Sequence, residues 1–143
     1  MKKTTILGLA AALLLPILVI GCKPAQSSET QNIEITTDEF AAQNNISKSI
    51  ELKVNDKLNV SLGSNPTTGY AWGEAAISDT AVIAQDSRNY VEPQSDSVGA
   101  PGKDVWTFTA KKAGTATIKM SYSRPWEGGE QDTWTLTIDV TVK

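Results

Sequence analysis

From Ile33 onward, apolar and polar residues alternate with a period of two, and this pattern limits the possible folds more than any other feature of the sequence. Successive side chains of a β-strand point to opposite faces, so alternation predicts strands with one face in a core and one in water. The residue types agree, because Thr, Val and Ile suit pleated, half-buried surfaces. The clearest apolar series are Ile50, Leu52 and Val54; Leu58, Val60 and Leu62; Ala116, Ile118, Met120 and Tyr122; and Trp134, Leu136, Ile138, Val140 and Val142.

The connections between these runs are short and rich in turn formers. Asn55-Asp56 separates two alternating runs and suits a two-residue hairpin turn with positive φ. Residues 38–43 are the best helix candidate, at one or two turns, and residues 74–84 are ambiguous. About seven short strands in a single domain over residues 33–143 predict an all-β fold, an immunoglobulin-like antiparallel β-sandwich. An up-and-down barrel is the alternative.

The first residues of the chain form a different kind of segment. Lys2 and Lys3 precede an apolar stretch over residues 6–20, which is shorter than the roughly 20 residues of a membrane-spanning helix. We therefore expect residues 1–21 to be a signal peptide that takes no part in the fold.

Cys22 follows Val19-Ile20-Gly21, and this tetrapeptide resembles the bacterial lipobox. The resemblance implies cleavage before Cys22 and lipidation of its thiol, where each buried CH₂ contributes about 0.8 kcal/mol of anchoring. Residues 22–32 are then the lipidated cysteine and a flexible tether. The expected location is the cell envelope, on a membrane and facing the periplasm or the exterior. Lys23 favours the outer membrane in a cell with two membranes. A plain secretory signal is the alternative.

Two absences exclude most catalytic chemistry. The sequence has no histidine, and Cys22 is its single cysteine. A Ser-His-Asp or Cys-His nucleophile, a zinc site with His or Cys ligands, and an intrachain disulfide are therefore all excluded. Sixteen Asp and Glu residues leave carboxylate chemistry open, but their spacing singles out no pair. We expect a monomer that is not an enzyme and needs no metal or cofactor.

The net charge further narrows the class of partner. It is −3 at pH 7, and removal of Lys2 and Lys3 with the signal peptide makes it −5. Nucleic acid is therefore not an expected partner.

Three unusual segments fall between predicted strands: the first loop (residues 64–70), the middle loop (residues 93–103) and the third loop (residues 123–129). If strand direction alternates along the chain, all three lie at one end of the sandwich, which is a common way to build a binding surface. The third loop places an arginine and a tryptophan, residue types enriched at interface hot spots, on a proline-stiffened segment. Each loop alone also fits an ordinary connection, and Trp126 could cap the core. Trp72, Trp106 and Trp134 are predicted to be core residues.

In this order and spacing, the loops resemble those of the chagasin-type inhibitors of papain-like cysteine peptidases. The most specific matches are residues 65–70 with Trp72 and residues 124–126 with Gly128. The resemblance covers residues 33–143. It implies a reversible inhibitor that fills the peptidase cleft with a wedge of three loops. The implied peptidase-binding residues are Asn65, Pro66, Thr67, Thr68, Gly69, Tyr70, Gly99, Ala100, Gly102, Arg124, Pro125 and Trp126.

The resemblance also implies particular roles within the wedge. Thr67 and Thr68 would face the catalytic cysteine and histidine of the peptidase, and Trp126 would pack on the primed side. The middle loop would reach the non-primed side. Pro101 departs from the family pattern, which has glycine there, and it removes a backbone N–H donor. The alternatives are a cell-surface module that binds carbohydrate or protein, a structural lipoprotein of an envelope complex, and an enzyme that uses carboxylates.

Overall fold

The structure is a computed structural model that describes residues 27–143, so the predicted signal peptide and Cys22 lie outside the described residues. Within this range the chain forms one α-helix, one 3₁₀ turn and nine strands, and no helix is long and apolar enough to span a membrane. The elements are β1 (Thr30–Ile35), α1 (Thr37–Ala42), β2 (Asn45–Leu52), β3 (Lys57–Ser64), the 3₁₀ turn (Pro66–Thr68), β4 (Ala71–Trp72), β5 (Ala76–Ile77), β6 (Ile83–Val91), β7 (Gly102–Ala110), β8 (Gly114–Ser123) and β9 (Trp134–Val142).

The strands form two sheets, which confirms the predicted sandwich. One sheet has the order β1-β3-β7-β6, and the other has the order β2-β9-β8-β4, with β5 also paired to β8. Two pairs, β1 with β3 and β2 with β9, are parallel, whereas the others are antiparallel. Alternation could not distinguish the two arrangements, because side chains have a period of two in both. The strand count exceeds the predicted seven partly because β4 and β5 are two-residue strands.

The predicted hairpin at Asn55-Asp56 is wrong. Asn55 does have positive φ, 75°, but the strands on either side of it belong to different sheets, β2 to one and β3 to the other. The segment is therefore an arch that crosses the core. The side chain of Asp56 holds this arch together, since its carboxylate accepts hydrogen bonds from the backbone N–H groups of Glu29 (2.9 Å) and Lys53 (2.8 Å).

The core lies between the two sheets. Trp106 and Trp72 are buried in it, as predicted, and Trp134 is half-buried against it. The single helix has the predicted location, within a residue at each end. A capping box closes its first turn: the Thr36 hydroxyl accepts the backbone N–H of Glu39, and the Glu39 carboxylate accepts the backbone N–H of Thr36. Phe40 attaches the helix to the core and is fully buried.

Strand direction places the three loops at one end, as the sequence predicts. β3 and β6 both run antiparallel to β7, so the first and middle loops emerge together. β5 was missing from the predicted order, but β4 and β5 both run antiparallel to β8. β5 therefore runs in the same direction as β4, so the directions predicted for the later strands are unchanged.

Acid sensitivity should follow from the buried carboxylate of Asp56. The two backbone N–H donors stabilise its charged form and lower its pKa. A lowered folded-state pKa contributes stability that is present above the unfolded value of about 3.9 and is lost as pH falls through the folded value. We expect Asp56→Asn to lower the free energy of unfolding at pH 7 by about 1–3 kcal/mol, because an amide cannot accept both N–H groups.

The measurement is urea unfolding from pH 7 down to about pH 2. The difference between Asp56→Asn and the wild type should shrink below about pH 4, since the wild type then loses the same carboxylate. A difference that stays constant over this range would contradict the assignment.

Candidate functional site

The three loops contact one another, with the first loop in the middle. The side-chain amide of Asn65 donates to the carbonyl oxygen of Gly99 in the middle loop, at 2.9 Å. On the other side, the ring of Trp126 packs on Gly69. A Cβ atom at Gly69 would lie 2.6 Å from Cη2 of that ring, so only glycine permits this contact.

The first loop is a turn held by its own hydrogen bonds. The carboxamide oxygen of Asn65 accepts from the backbone N–H of Thr67 (3.3 Å) and from its hydroxyl (2.6 Å). The hydroxyl of Thr68 donates to the carbonyl oxygen of Asn65 at 2.7 Å. Gly69 ends the 3₁₀ turn with φ 81°, a conformation that favours glycine. The turn is therefore formed before any partner binds, while Pro66, Thr67 and Thr68 remain exposed.

The third loop is held by Arg124, whose guanidinium lies 4.4 Å from the centre of the Tyr70 ring and 5.9 Å from that of Trp126. The Tyr70 hydroxyl in turn donates to the carboxylate of Glu130. Trp126 itself is 52% exposed, so it does not cap the core. Cation–π contacts of this kind contribute about 0.5–1 kcal/mol at exposed sites. They leave the indole presented to solvent in one orientation.

A column of stacked aromatic rings connects the loops to the core. Tyr70 stacks on Tyr122 with centroids 5.5 Å apart, Tyr122 on Trp134 at 4.8 Å, and Trp134 on Phe40 at 5.3 Å. The Tyr122 hydroxyl also accepts the backbone N–H of Asn65 at 2.9 Å. The loops thus rest on the buried side chains of Tyr122 in β8 and Phe40 in α1 and on the half-buried Trp134 in β9.

The middle loop is the most exposed of the three. Gly99 has φ 81° and no atom near enough to contact an added Cβ, and Ala100 donates its N–H to the carbonyl oxygen of Ser97 at 3.1 Å. Val98, which the sequence analysis missed, is completely exposed. The only indication of Val98 in the sequence is that it is an apolar residue inside an otherwise polar segment.

Gly102 differs from the other predicted site residues. It is the first residue of β7 and pairs with Ser64, and a Cβ there would collide with the Tyr90 side chain and the carbonyl oxygen of Val91. Packing alone thus accounts for this glycine. The structure brings the other predicted residues together at the loop end, although Asn65, Gly69, Tyr70, Ala100 and Arg124 are half-buried supports rather than exposed tips.

An immunoglobulin-like β-sandwich with three loops at one end, two of them braced against the first, defines a class of binding protein with a pre-formed surface. Comparison with known proteins agrees with this class. Residues 51–140 match the family model described as chagasin family peptidase inhibitor I42. The chain therefore belongs to the chagasin family of peptidase inhibitors, which is a family of inhibitors and not of enzymes. The matched segment contains all three loops, and β1 and α1 precede it.

The relatives have names consistent with this family. The chain is 36% identical over 94 residues to amoebiasin-2 of Entamoeba histolytica, and this alignment covers 66% of this chain and 76% of that protein. It is 33% identical over 92 residues to chagasin of Trypanosoma cruzi, covering 62% and 84%.

Among solved structures, the cysteine protease inhibitor EhICP2 from Entamoeba histolytica aligns with a TM-score of 0.65 and 27% identity. The alignment covers 82% of this chain and all of that one. PbICP-C, solved in complex with falcipain-2, shares the fold with a TM-score of 0.58 and 19% identity, over 81% of this chain and all of that one.

Proposed function

We propose that this protein inhibits papain-like cysteine peptidases reversibly, by seating its three loops in the active-site cleft. The observation that supports this most is the self-bonded turn of residues 65–69. It presents the exposed side chains of Thr67 and Thr68 between Gly99 and Trp126. The neighbours EhICP2 and PbICP-C are described as a cysteine protease inhibitor and as a partner of falcipain-2, and this chain shares their fold.

The turn explains how the protein can occupy a cleft without being cleaved. A peptidase cleaves a segment that lies extended through its active site. The residues of the first loop are bonded to each other within the 3₁₀ turn and closed by the left-handed Gly69, so they resist that extended conformation. Because the loops are braced in advance, little conformational entropy is lost when they bind.

The test is titration of the protein, expressed from the full sequence, against active-site-titrated papain. We expect tight, reversible inhibition and recovery of uncleaved protein. Absence of inhibition against papain and several cathepsin-like peptidases would contradict the proposal. Binding in a glycan screen, or a stable envelope partner in crosslinking, would then identify the loops as a carbohydrate- or protein-binding surface.

We further propose that the chain is a lipoprotein anchored through Cys22, on the outer membrane in cells that have two membranes. Thr30 pairs with Lys57 at the start of β3, so β1 begins at the end of the sandwich opposite the loops. The tether was predicted to extend to residue 32, but residues 30–32 are already part of β1. The remaining segment 23–29 can span at most about 25 Å. An anchor at Cys22 would therefore leave the loops facing away from the membrane.

The anchor can be tested separately from inhibition. Cells fed labelled palmitate should incorporate label into the wild type and not into Cys22→Ser, and cell fractionation should find only the wild type in membranes. The purified Cys22→Ser variant should inhibit papain as strongly as the wild type. Unlabelled wild-type protein in the soluble fraction would contradict the lipid anchor and leave the inhibitory function untouched.

A further inference from the structure

α1 stands beside the three loops although it lies outside the segment matched by the family model. β1 runs parallel to β3 and ends with Ile35 opposite Leu62, so the chain enters the helix at the loop end of the sandwich. The helix backbone packs closely on β3, because a Cβ at Gly63 would lie 2.5 Å from the backbone nitrogen of Thr37. With Phe40 stacked in the core, α1 is a fixed part of this end of the molecule.

An apolar groove of about 460 Å³ separates α1 from the first loop. The rings of Tyr70, Tyr122 and Trp134, members of the stacked column, contribute to its walls. Thr68 also lines it, so the groove is continuous with the surface proposed to enter the peptidase cleft. The only charged residue of the lining is Asp38, which is exposed and has no hydrogen-bonded or ionic partner for its carboxylate within residues 27–143.

Negative charge is concentrated at the same end. Among the cations of the described residues near this end, Arg124 already lies over Tyr70, Lys48 of β2 acts through its charge on Glu39, and Lys103 pairs with Glu34 at 3.1 Å. Seven carboxylates that form no ion pair within the described chain lie on α1, in the loops or in the connections beside them; they are Asp38, Glu39, Glu92, Asp96, Glu127, Glu130 and Asp132. Such a surface favours a positively charged partner.

We propose that the groove receives a lysine or arginine side chain from the rim of the peptidase cleft. The cation would pair with Asp38, while its methylenes and charge lie against the aromatic walls, which accept both. This inference rests on the proposed function, because the peptidase seated on Thr68 brings the side chain to the groove. α1 thereby becomes a fourth contact element and a determinant of which peptidases are bound.

Charge reversal at the groove tests the proposal. The inhibition constant and the association and dissociation rates are measured for the wild type, Asp38→Lys and Asp38→Asn against a panel of papain-like peptidases that includes papain. Glu29→Lys is the matched control, since it makes the same change in charge at the opposite end of the sandwich. For the peptidases that the wild type inhibits most tightly, we expect Asp38→Lys to raise the inhibition constant at least tenfold, mainly through faster dissociation.

Asp38→Asn should have a smaller effect in the same direction, and Glu29→Lys should stay within about twofold of the wild type, since exposed charges at that distance are largely screened. In a scan that replaces lysines and arginines of the peptidase rim by glutamate, one replacement should restore tight inhibition by Asp38→Lys. The rim residue whose replacement restores inhibition is then identified as the side chain that enters the groove.

The outcomes separate the two proposals. If the wild type inhibits no peptidase of the panel, the proposed function fails, and the groove loses its partner with it. If the wild type inhibits but Asp38→Lys behaves like Glu29→Lys across the panel, or no rim replacement restores inhibition, only the groove proposal is overturned. Asp38 lies in the first turn of α1, so Asp38→Lys should lower stability slightly. A urea unfolding transition that remains cooperative in both Asp38 variants shows that the loss of inhibition does not come from loss of the fold.

Discussion

Thr68→Arg is expected to raise the inhibition constant for papain at least tenfold without destabilising the domain. Thr68 is exposed at the centre of the loop surface, and its backbone N–H donates to the carbonyl oxygen of Asn65 at 3.1 Å. An arginine keeps this backbone bond but loses the bond from the Thr68 hydroxyl to the same oxygen. The turn should survive through the backbone bond and the two bonds from Thr67 to the Asn65 side chain. Its long charged side chain would nevertheless stand where the peptidase surface must approach closely. A tenfold loss corresponds to about 1.4 kcal/mol of binding free energy.

Trp126→Ala is the companion variant, with an equal expected loss of at least tenfold. Full burial of a tryptophan removes roughly 150–250 Å² from water. Because Trp126 is 52% exposed, binding can bury about half of this area, a gross gain of about 2–3 kcal/mol at about 25 cal/mol/Å², of which part is offset by the costs of association. The side chain is about half exposed already, so its removal should change inhibition far more than stability.

Both variants are measured by titration of active-site-titrated papain, with urea unfolding as the check on the fold. Thr115→Arg is the control for the added charge, because Thr115 is exposed on β8 at the end opposite the loops. Trp126→Phe, which keeps an aromatic ring, should recover part of the loss. Unchanged inhibition constants in both Thr68→Arg and Trp126→Ala would exclude the loop surface as the inhibitory site.

The largest effect on stability is expected at Arg88, which ties the two sheets together. Its Nη2 donates to the carbonyl oxygen of Trp72 (2.7 Å) on the second sheet and to the carboxylate of Asp104 (3.2 Å) on its own sheet. The guanidinium also lies 4.8 Å from the centre of the Trp106 ring. Asp104 is buried, so its charge depends on this arginine for compensation.

Asp104→Ala should lower the free energy of unfolding by about 2–3 kcal/mol, because it leaves the partly buried arginine with only the exposed Glu74, at 3.4 Å, as an ionic partner. The double variant Arg88→Met/Asp104→Leu should be more stable than the sum of the single losses predicts, since it removes both charges together. Urea unfolding with an unchanged m-value measures each difference. Strictly additive losses in the double-mutant cycle would contradict direct coupling of the two side chains.

Much of this molecule can be predicted from its sequence because the relevant signals are local. Alternation over residues 33–143 identifies the strands and their buried faces, and Asn65-Pro66 with Gly69 identifies a tight turn. The absence of histidine excludes whole classes of catalysis before any fold is known. The three loop motifs, taken in order, also indicate the family that the matched segment confirms.

Other features depend on contacts between distant segments, and no local pattern contains them. Alternation shows which face of a strand is buried but not which strand lies beside it. Only the tertiary structure could therefore separate β2 from β3 and place β1 and β2 as edge strands in parallel pairs, with β3 and β9 respectively. The same holds for Gly102. Its sequence context suggests a binding residue, whereas in the structure the close packing on Tyr90 accounts for a glycine at this position.

The sequence alone thus determined an all-β domain, with a sandwich favoured over a barrel, three candidate loops and little scope for catalysis. The tertiary structure decided how those loops are supported, through the stacked rings from Tyr70 to Phe40, and it placed α1 beside them. The physical reason is the sequence separation over which interactions act, because strand and turn preferences depend on residues that are near neighbours in the chain. Ring stacking, burial of Arg88 against Asp104, and the groove beside Asp38 arise only when segments tens of residues apart are packed together.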